Sequence, residues 1–108
     1  MEPWSFVFAN ATVQAEFDAL PADIRAYFEH IVRLVQTVGL ERLHEPYLKH
    51  IEDEIWEMRL RGRSGIARAL YLMATGRRVV ILRVFVKKTQ KTPRREIALA
   101  RQRAREVL

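Results

Sequence analysis

The residues best suited to chemistry cluster in one short segment near the C-terminal end. It reads Lys87-Lys88-Thr89-Gln90-Lys91-Thr92-Pro93 and joins an apolar stretch to a stretch with helical periodicity. Three ammonium groups, three side chains able to form hydrogen bonds and the unpaired N–H groups of a helix N-terminus make a phosphate-binding arrangement. The alternative is an ordinary solvated connector.

Two arginines form a second candidate group. A turn-forming Gly-Arg-Ser-Gly segment at residues 62–65 separates two apolar stretches. If the hairpin is symmetric about this turn, Arg59 lies opposite Arg68 on one face of a sheet. Two opposed cations repel each other, so the pair is tolerable where the face meets a polyanion or where Glu57 screens it. A shift of one residue in register would separate them.

Other catalytic classes lack the residues they need. There is no cysteine, no nucleotide-binding glycine loop and no HExxH motif. His30, His44 and His50 do not share a metal-ligand spacing, and no serine has a neighbouring His–acid pair. The acidic run at 52–54 is consecutive, which scatters its carboxylates over opposite faces. We therefore expect no metal and no cofactor.

Charge is segregated along the chain. Residues 1–54 carry ten acidic and four basic side chains, for −6, whereas residues 55–108 carry three acidic and fifteen basic ones, for +12. A surface built only for solubility would mix the signs, so the segregation indicates a C-terminal half that faces a polyanion. The plainer interpretation is a solvated basic helix.

Length and composition limit the class of protein. A chain of 108 residues suits one domain, 1–108, and 49% hydrophobic residues exclude a disordered chain. No apolar run approaches the ~20 residues that span a bilayer. The N-terminus lacks the features of a secretory signal. We expect a cytoplasmic protein with no membrane contact.

The periodicity predicts an α+β fold. Alternation or β-rich composition predicts a first strand at 5–9 and a three-stranded antiparallel meander at 55–60, 66–74 and 79–86. Helical spacing predicts a short helix capped by Thr12, a long helix at 22–38 ended by Gly39, and a C-terminal helix capped by Thr92 with Pro93 as its first residue. Residues 40–53 resist assignment.

These segments also carry a family resemblance, which covers about Phe6 to Leu108. The chain resembles the phage-derived HigB-like branch of the RelE/ParE toxin superfamily. The Phe-x-Lys-Lys-Thr-x-Lys-Thr-Pro segment is the specific part. The residues that carry the resemblance are Trp56-Glu57-Met58-Arg59, Gly65, Arg68, Tyr71, Phe85-Val86-Lys87-Lys88-Thr89-Gln90-Lys91-Thr92-Pro93, Glu96-Ile97 and Ala100.

The resemblance implies a fold and an activity. The fold is RelE-like, with helices packed on a small, mainly antiparallel sheet. The activity is that of the toxin of a type II toxin–antitoxin system, an endoribonuclease that cuts mRNA, generally in the ribosomal A site, without a metal. The substrate's own 2′-hydroxyl attacks the adjacent phosphate and leaves a cyclic phosphate. The implied partners are mRNA, the ribosome and a cognate antitoxin, expected to be a helix-turn-helix protein.

The resemblance also assigns residue roles. Arg59 and Arg68 match positions that hold the scissile phosphate. Lys87, Lys88 and Lys91 match a basic segment that binds the RNA backbone or transfers protons. Tyr71 is a candidate for RNA base stacking or for proton donation, although it suits the core equally well. Further RNA contacts are expected at Arg83, Arg94 and Arg95.

One departure from the family pattern leaves other functions open. Several relatives place a late Tyr or His as proton donor, but no Tyr follows Tyr71 here and no His follows His50. A lysine must then donate the proton, or the catalytic assignment is wrong. The alternatives are a basic nucleic-acid-binding module without catalysis and a phage structural or assembly protein.

Overall fold

The computed structural model describes residues 3–44 and 46–107, which form a five-stranded mixed sheet with three α-helices. The sheet order is β1-β5-β4-β3-β2. Strands β2 to β5 form an antiparallel meander, and β1 pairs in parallel with β5. The elements are β1 (Ser5–Phe8), α1 (Ala11–Asp18), α2 (Ala22–Val38), a 3-10 turn (Leu40–Arg42), β2 (Leu48–Glu52), β3 (Ile55–Gly62), β4 (Gly65–Ala74), β5 (Arg78–Val86) and α3 (Arg94–Val107). The α+β class is confirmed.

The meander has one strand more than the sequence predicts. Strand β2 lies in the segment that resisted assignment and forms an outer edge of the sheet. Its alternation is obscured because only Leu48 is buried, and the register shifts between His50 and Glu52. An edge strand can carry exposed polar residues, so its hydrophobic pattern is weak.

The long helix has the predicted bounds, but two predicted caps are wrong. Gly39 ends α2 with a φ of 91°, a conformation that favours glycine. Asn10, rather than Thr12, caps α1, and its side chain accepts from the Val13 N–H at 3.0 Å. Helix α3 begins at Arg94, with the carbonyl of Pro93 accepting the Glu96 N–H, so the Thr92 hydroxyl is not its cap.

The sheet buries both faces, each against different helices. One face packs on α1 and α2 through side chains that include Phe28, Met58, Leu60, Tyr71 and Ile81. The other face packs on α3 through Ile55, Leu70, Leu72, Leu82, Ala100 and Ala104. Side chains alternate along a strand, so Glu57 and Arg59 follow Ile55 on the α3 side. This face of the sheet therefore carries charged residues near the N-terminus of α3. Among the described residues, no helix is long and apolar enough to cross a membrane.

Candidate functional site: a basic groove beside a buried arginine–glutamate cluster

The two arginines predicted to face each other do so. Arg59 on β3 is the register partner of Arg68 on β4, and both belong to the hairpin that turns between Gly62 and Gly65. The predicted register is confirmed, so two guanidinium groups share one face of the sheet beside α3.

Glu57 relieves the repulsion between the arginines. Its side chain is 0% exposed, and its Oε2 accepts from Arg68 Nη1 at 3.1 Å. Its Oε1 lies 3.5 Å from Arg59 Nε. Of the two conditions under which the opposed arginines are tolerable, screening by Glu57 is therefore met, and the cluster holds two cations and one anion.

The two arginines differ in what they can reach. The Arg59 side chain is 24% exposed, whereas that of Arg68 is 4% exposed. Arg68 also donates to the Thr92 hydroxyl and, at 2.7 Å, to the Gln90 carbonyl. Arg68 is therefore committed to protein contacts, and Arg59 has the greater access to a ligand.

Residues 87–92, called here the lysine segment, are held by more hydrogen bonds than a solvated connector would be. The Lys87 N–H donates to the Ile66 carbonyl at 2.7 Å, which extends the β4–β5 pairing by one residue. The Thr89 hydroxyl donates to the Lys91 carbonyl at 2.6 Å. With the bond from Arg68 to the Gln90 carbonyl, residues 87–92 are tied to the sheet at several points.

These residues line a groove of about 670 Å³ at the end of β5, between the α1–α2 junction and the start of α3. Its apolar lining includes Leu20, Val84, Phe85, Val86 and Pro93. Its basic lining is Arg68, Arg83, Lys87, Lys88, Lys91 and Arg95, and its acidic lining is Glu16 and Glu96. A lining that combines apolar and cationic side chains suits a ligand that has both flat apolar groups and phosphates.

Some of the predicted RNA-binding cations form ion pairs with carboxylates, and others do not. Arg83 pairs with Glu16 at 2.8 Å and with Glu96 at 2.7 Å, and Arg94 pairs with Glu52 at 2.6 Å. In the part of the chain that the structure describes, four groove residues have no carboxylate within ion-pair distance: Lys87, Lys88, Lys91 and Arg95. Four cations without a carboxylate partner thus line the same groove.

The surroundings of Lys87 favour the loss of its proton. Desolvation, followed by the charges of Arg68 and Arg59, lowers the pKa of Lys87 below the ordinary value for lysine. Nearby cations disfavour a further positive charge, which makes the proton easier to release.

Tyr71 belongs to the core rather than to an RNA-binding surface. Its side chain is 1% exposed and lies on the sheet face that packs against α1 and α2, opposite the arginines. Burial raises the pKa of Tyr71. A ring in this position has no face to offer an RNA base.

Sequence reasoning missed how far the acidic side chains organise the site. Glu16 accepts from the Val84 N–H at 3.1 Å and from Arg103 at 3.0 Å, and so links α1, β5 and α3. Glu96 fixes Arg83 in the same region. The sequence shows that Glu57 is an acidic residue on the charged face of a strand. The partners of Glu57 can be identified only once the register of the strands is known. Within the described residues, no three His, Asp or Glu side chains form a group suited to a metal ion.

Together the fold and the groove define a small α+β protein with a cationic surface suited to anions. The family profile described as phage-derived protein Gp49-like (DUF891) matches residues 15–105. The chain therefore belongs to the Gp49-like family, a phage-derived, toxin-like family related to the RelE/ParE superfamily. No curated protein shows a significant match to the chain.

Proposed function

We propose that this protein is the toxin of a type II toxin–antitoxin system, of the HigB-like branch, and that it cleaves mRNA on the ribosome. The observation that carries the proposal is the uncompensated charge of Lys87, Lys88, Lys91 and Arg95 on one groove. Arg68, the register partner of Arg59, also lines this groove, and the chain belongs to a toxin-like family.

The proposed reaction uses a nucleophile supplied by the substrate. The 2′-hydroxyl of one nucleotide attacks the adjacent phosphorus while the bond to the 5′-oxygen breaks. The products are a 2′,3′-cyclic phosphate and a free 5′-hydroxyl. The reaction needs an acceptor for the 2′ proton, stabilisation of the dianionic phosphorane and a proton for the 5′-oxygen.

Exposure divides these tasks among the cations. Arg68 lines the groove but is only 4% exposed, so it adds positive potential there. Its register partner Arg59 is the more exposed arginine and contacts the phosphorane. Lys87, whose pKa is lowered, donates a proton to the leaving 5′-oxygen, and the 2′ proton passes to water. Lys88 and Lys91 bind the flanking backbone as point charges.

The proposed partner is an antitoxin that covers the groove with acidic side chains. Its support is the net charge of +12 on residues 55–108, which a complementary surface would neutralise. By resemblance to the family, this antitoxin is a helix-turn-helix protein.

A second candidate function is RNA binding without cleavage. Within the described residues, no histidine or tyrosine lines the groove, so the usual proton donors are missing there. A binding module needs the same charge but no acid or base.

Controlled expression tests the toxin proposal. We expect growth arrest on induction, relief by a co-expressed neighbouring gene that encodes a small helix-turn-helix protein, and little arrest with Arg59→Ala at equal protein level. Arg105→Ala removes the same charge from an exposed site at the far end of α3 and should arrest growth like the parent. Unimpeded growth at high levels of the folded parent would contradict the proposal.

A further inference from the structure

Glu57 is placed unusually for a carboxylate in so small a protein. It is 0% exposed, and its register partner is Leu70, which is also fully buried. A buried carboxylate is strongly disfavoured unless cations and hydrogen-bond donors surround it. The chain keeps an ionisable group here, where an apolar residue would pack with less cost.

Two hydrogen-bond donors and one further cation, from three different segments, converge on this carboxylate. Arg68 on β4 and Thr92 beyond β5 both donate to Oε2, and Arg59 on β3 lies against Oε1. Arg68 in turn donates to the Thr92 hydroxyl and to the Gln90 carbonyl. Glu57, Arg68 and Thr92 thus form a closed set, called here the Glu57 clamp.

The clamp joins the sheet to the lysine segment. Thr92 is 35 residues from Glu57 and 24 from Arg68 along the chain. The contacts among these three residues fix the C-terminal end of the lysine segment. The near end is fixed by the bond between the Lys87 N–H and the Ile66 carbonyl. Lys88 and Lys91 lie between these two anchored ends.

We propose that Glu57 and Thr92 are positioning residues, which hold the lysine segment and Arg59 in the geometry that acts on RNA without contacting RNA themselves. This inference rests on the proposed function. Stabilising a transition state requires donors fixed to within a fraction of an ångström, and a connector held at one end only would not provide this. The Glu57 carboxylate is fully buried, so it is not placed to accept a proton from a nucleotide.

Substitutions at Thr92 test the clamp with little change in volume. Thr92→Val keeps the shape and removes the hydroxyl, whereas Thr92→Ser keeps the hydroxyl. Glu57→Gln keeps the shape and removes the charge, with the exposed Glu29→Gln as its control. Circular dichroism at a temperature where all variants are folded ensures that only native protein is compared.

Two readouts separate positioning from general stability. Amide hydrogen exchange at residues 87–92 should be faster in Thr92→Val and Glu57→Gln, and parent-like in Thr92→Ser and Glu29→Gln. The kcat for RNA cleavage should fall by roughly tenfold to a hundredfold in the first two variants. The KM should change little, because the lysines still bind RNA.

The outcomes are distinguishable. If Thr92→Val leaves exchange or kcat unchanged, the positioning role is wrong. If Glu57→Gln abolishes cleavage while exchange and Thr92→Val cleavage stay parental, Glu57 acts directly on the substrate and the inference is overturned. If the parent protein cuts no RNA, the proposed function fails, and exchange at residues 87–92 alone still decides whether the clamp holds the connector.

Discussion

Arg59 and Arg68 are register partners on adjacent antiparallel strands, and the Glu57 carboxylate lies 3.5 Å from one and 3.1 Å from the other. This arrangement brings two positive charges close together on one sheet face at the cost of burying a carboxylate. Stability and function therefore make different demands on these residues, and substitutions should separate the two.

Arg68→Ala should destabilise the fold by about 3–5 kcal/mol, because it leaves the buried Glu57 carboxylate without its main ion-pair partner. The measurement is the free energy of unfolding in urea. Arg105→Ala, at an exposed position, should change it by less than about 0.5 kcal/mol.

The double variant Glu57→Leu/Arg68→Met provides the complementary test. Replacing both members of a buried ion pair with apolar residues is often neutral or stabilising. The double variant should therefore recover most of the stability that Arg68→Ala loses, yet fail to recover RNA cleavage. Recovery of both properties would show that the charges of Glu57 and Arg68 serve only the fold.

Glu16 should make stability depend on pH. Partial burial raises its pKa, but hydrogen bonds from Arg103 and from the Val84 N–H, with the charge of Arg83, outweigh burial, so the pKa lies below its ordinary value. Because the folded-state pKa is the lower one, the ionised carboxylate stabilises the fold above the unfolded pKa of about 4.3. That contribution is lost as pH falls through the folded pKa.

The corresponding experiment compares Glu16→Gln with the parent by urea unfolding across this acidic range. The variant should be less stable at neutral pH, and the difference should shrink as the parent carboxylate is protonated. Glu29→Gln, an exposed change on α2, should show little difference at any pH. A gap that stays constant down to strongly acidic pH would mean that the Glu16 charge does not stabilise the fold.

Lys91→Ala should weaken RNA binding in a salt-dependent way. Each phosphate contact contributes about −0.7 to the slope of log K against log salt for a single strand, so losing one contact should make the slope shallower by about that amount. The affinity of the protein for an uncleavable RNA is measured across salt concentrations. Arg105→Ala lowers the net charge equally but lies away from the groove. An equal effect of the two changes would point to net charge rather than to a contact at Lys91.

Lys87 should be visible in the pH profile of cleavage. If it donates the proton to the 5′-oxygen, kcat falls as pH rises through its pKa, which desolvation and Arg68 and Arg59 lower below the ordinary lysine value. Lys87→Arg should cut more slowly and lose this alkaline decline, since arginine stays protonated. Lys88→Arg should keep it. A profile for Lys87→Arg that matches the parent would remove Lys87 from proton transfer.

The local parts of this structure could be predicted from sequence, whereas contacts between distant segments could not. The apolar period of α2 and the glycine turn at 62–65 fix both the long helix and the Arg59–Arg68 register, because each depends on neighbouring residues. Strand β2 was missed, since an edge strand with one buried residue has little periodicity. The same limit applies to Thr92, which looks like a helix cap but bonds to Glu57, 35 residues away.

The sequence likewise does not show which cations are paired with a carboxylate. In the sequence, Arg83, Arg94 and Arg95 look equivalent as basic residues of the C-terminal half. Arg83 pairs with Glu16 and Glu96, and Arg94 pairs with Glu52. Arg95 has no carboxylate within ion-pair distance among the described residues. Such pairings depend on how α1 and α3 pack against the sheet, which charge patterning alone does not specify.

The chemistry of the cut RNA ends tests the central claim most directly. The purified protein is incubated with translating ribosomes and an mRNA, and the ends of the fragments are identified. The account predicts internal cuts that leave a 2′,3′-cyclic phosphate and a 5′-hydroxyl. Arg59→Ala should lose roughly 3–4 kcal/mol of transition-state stabilisation while still binding RNA. Intact mRNA, on ribosomes and free, at protein concentrations that clearly bind it would contradict the nuclease and favour the binding module.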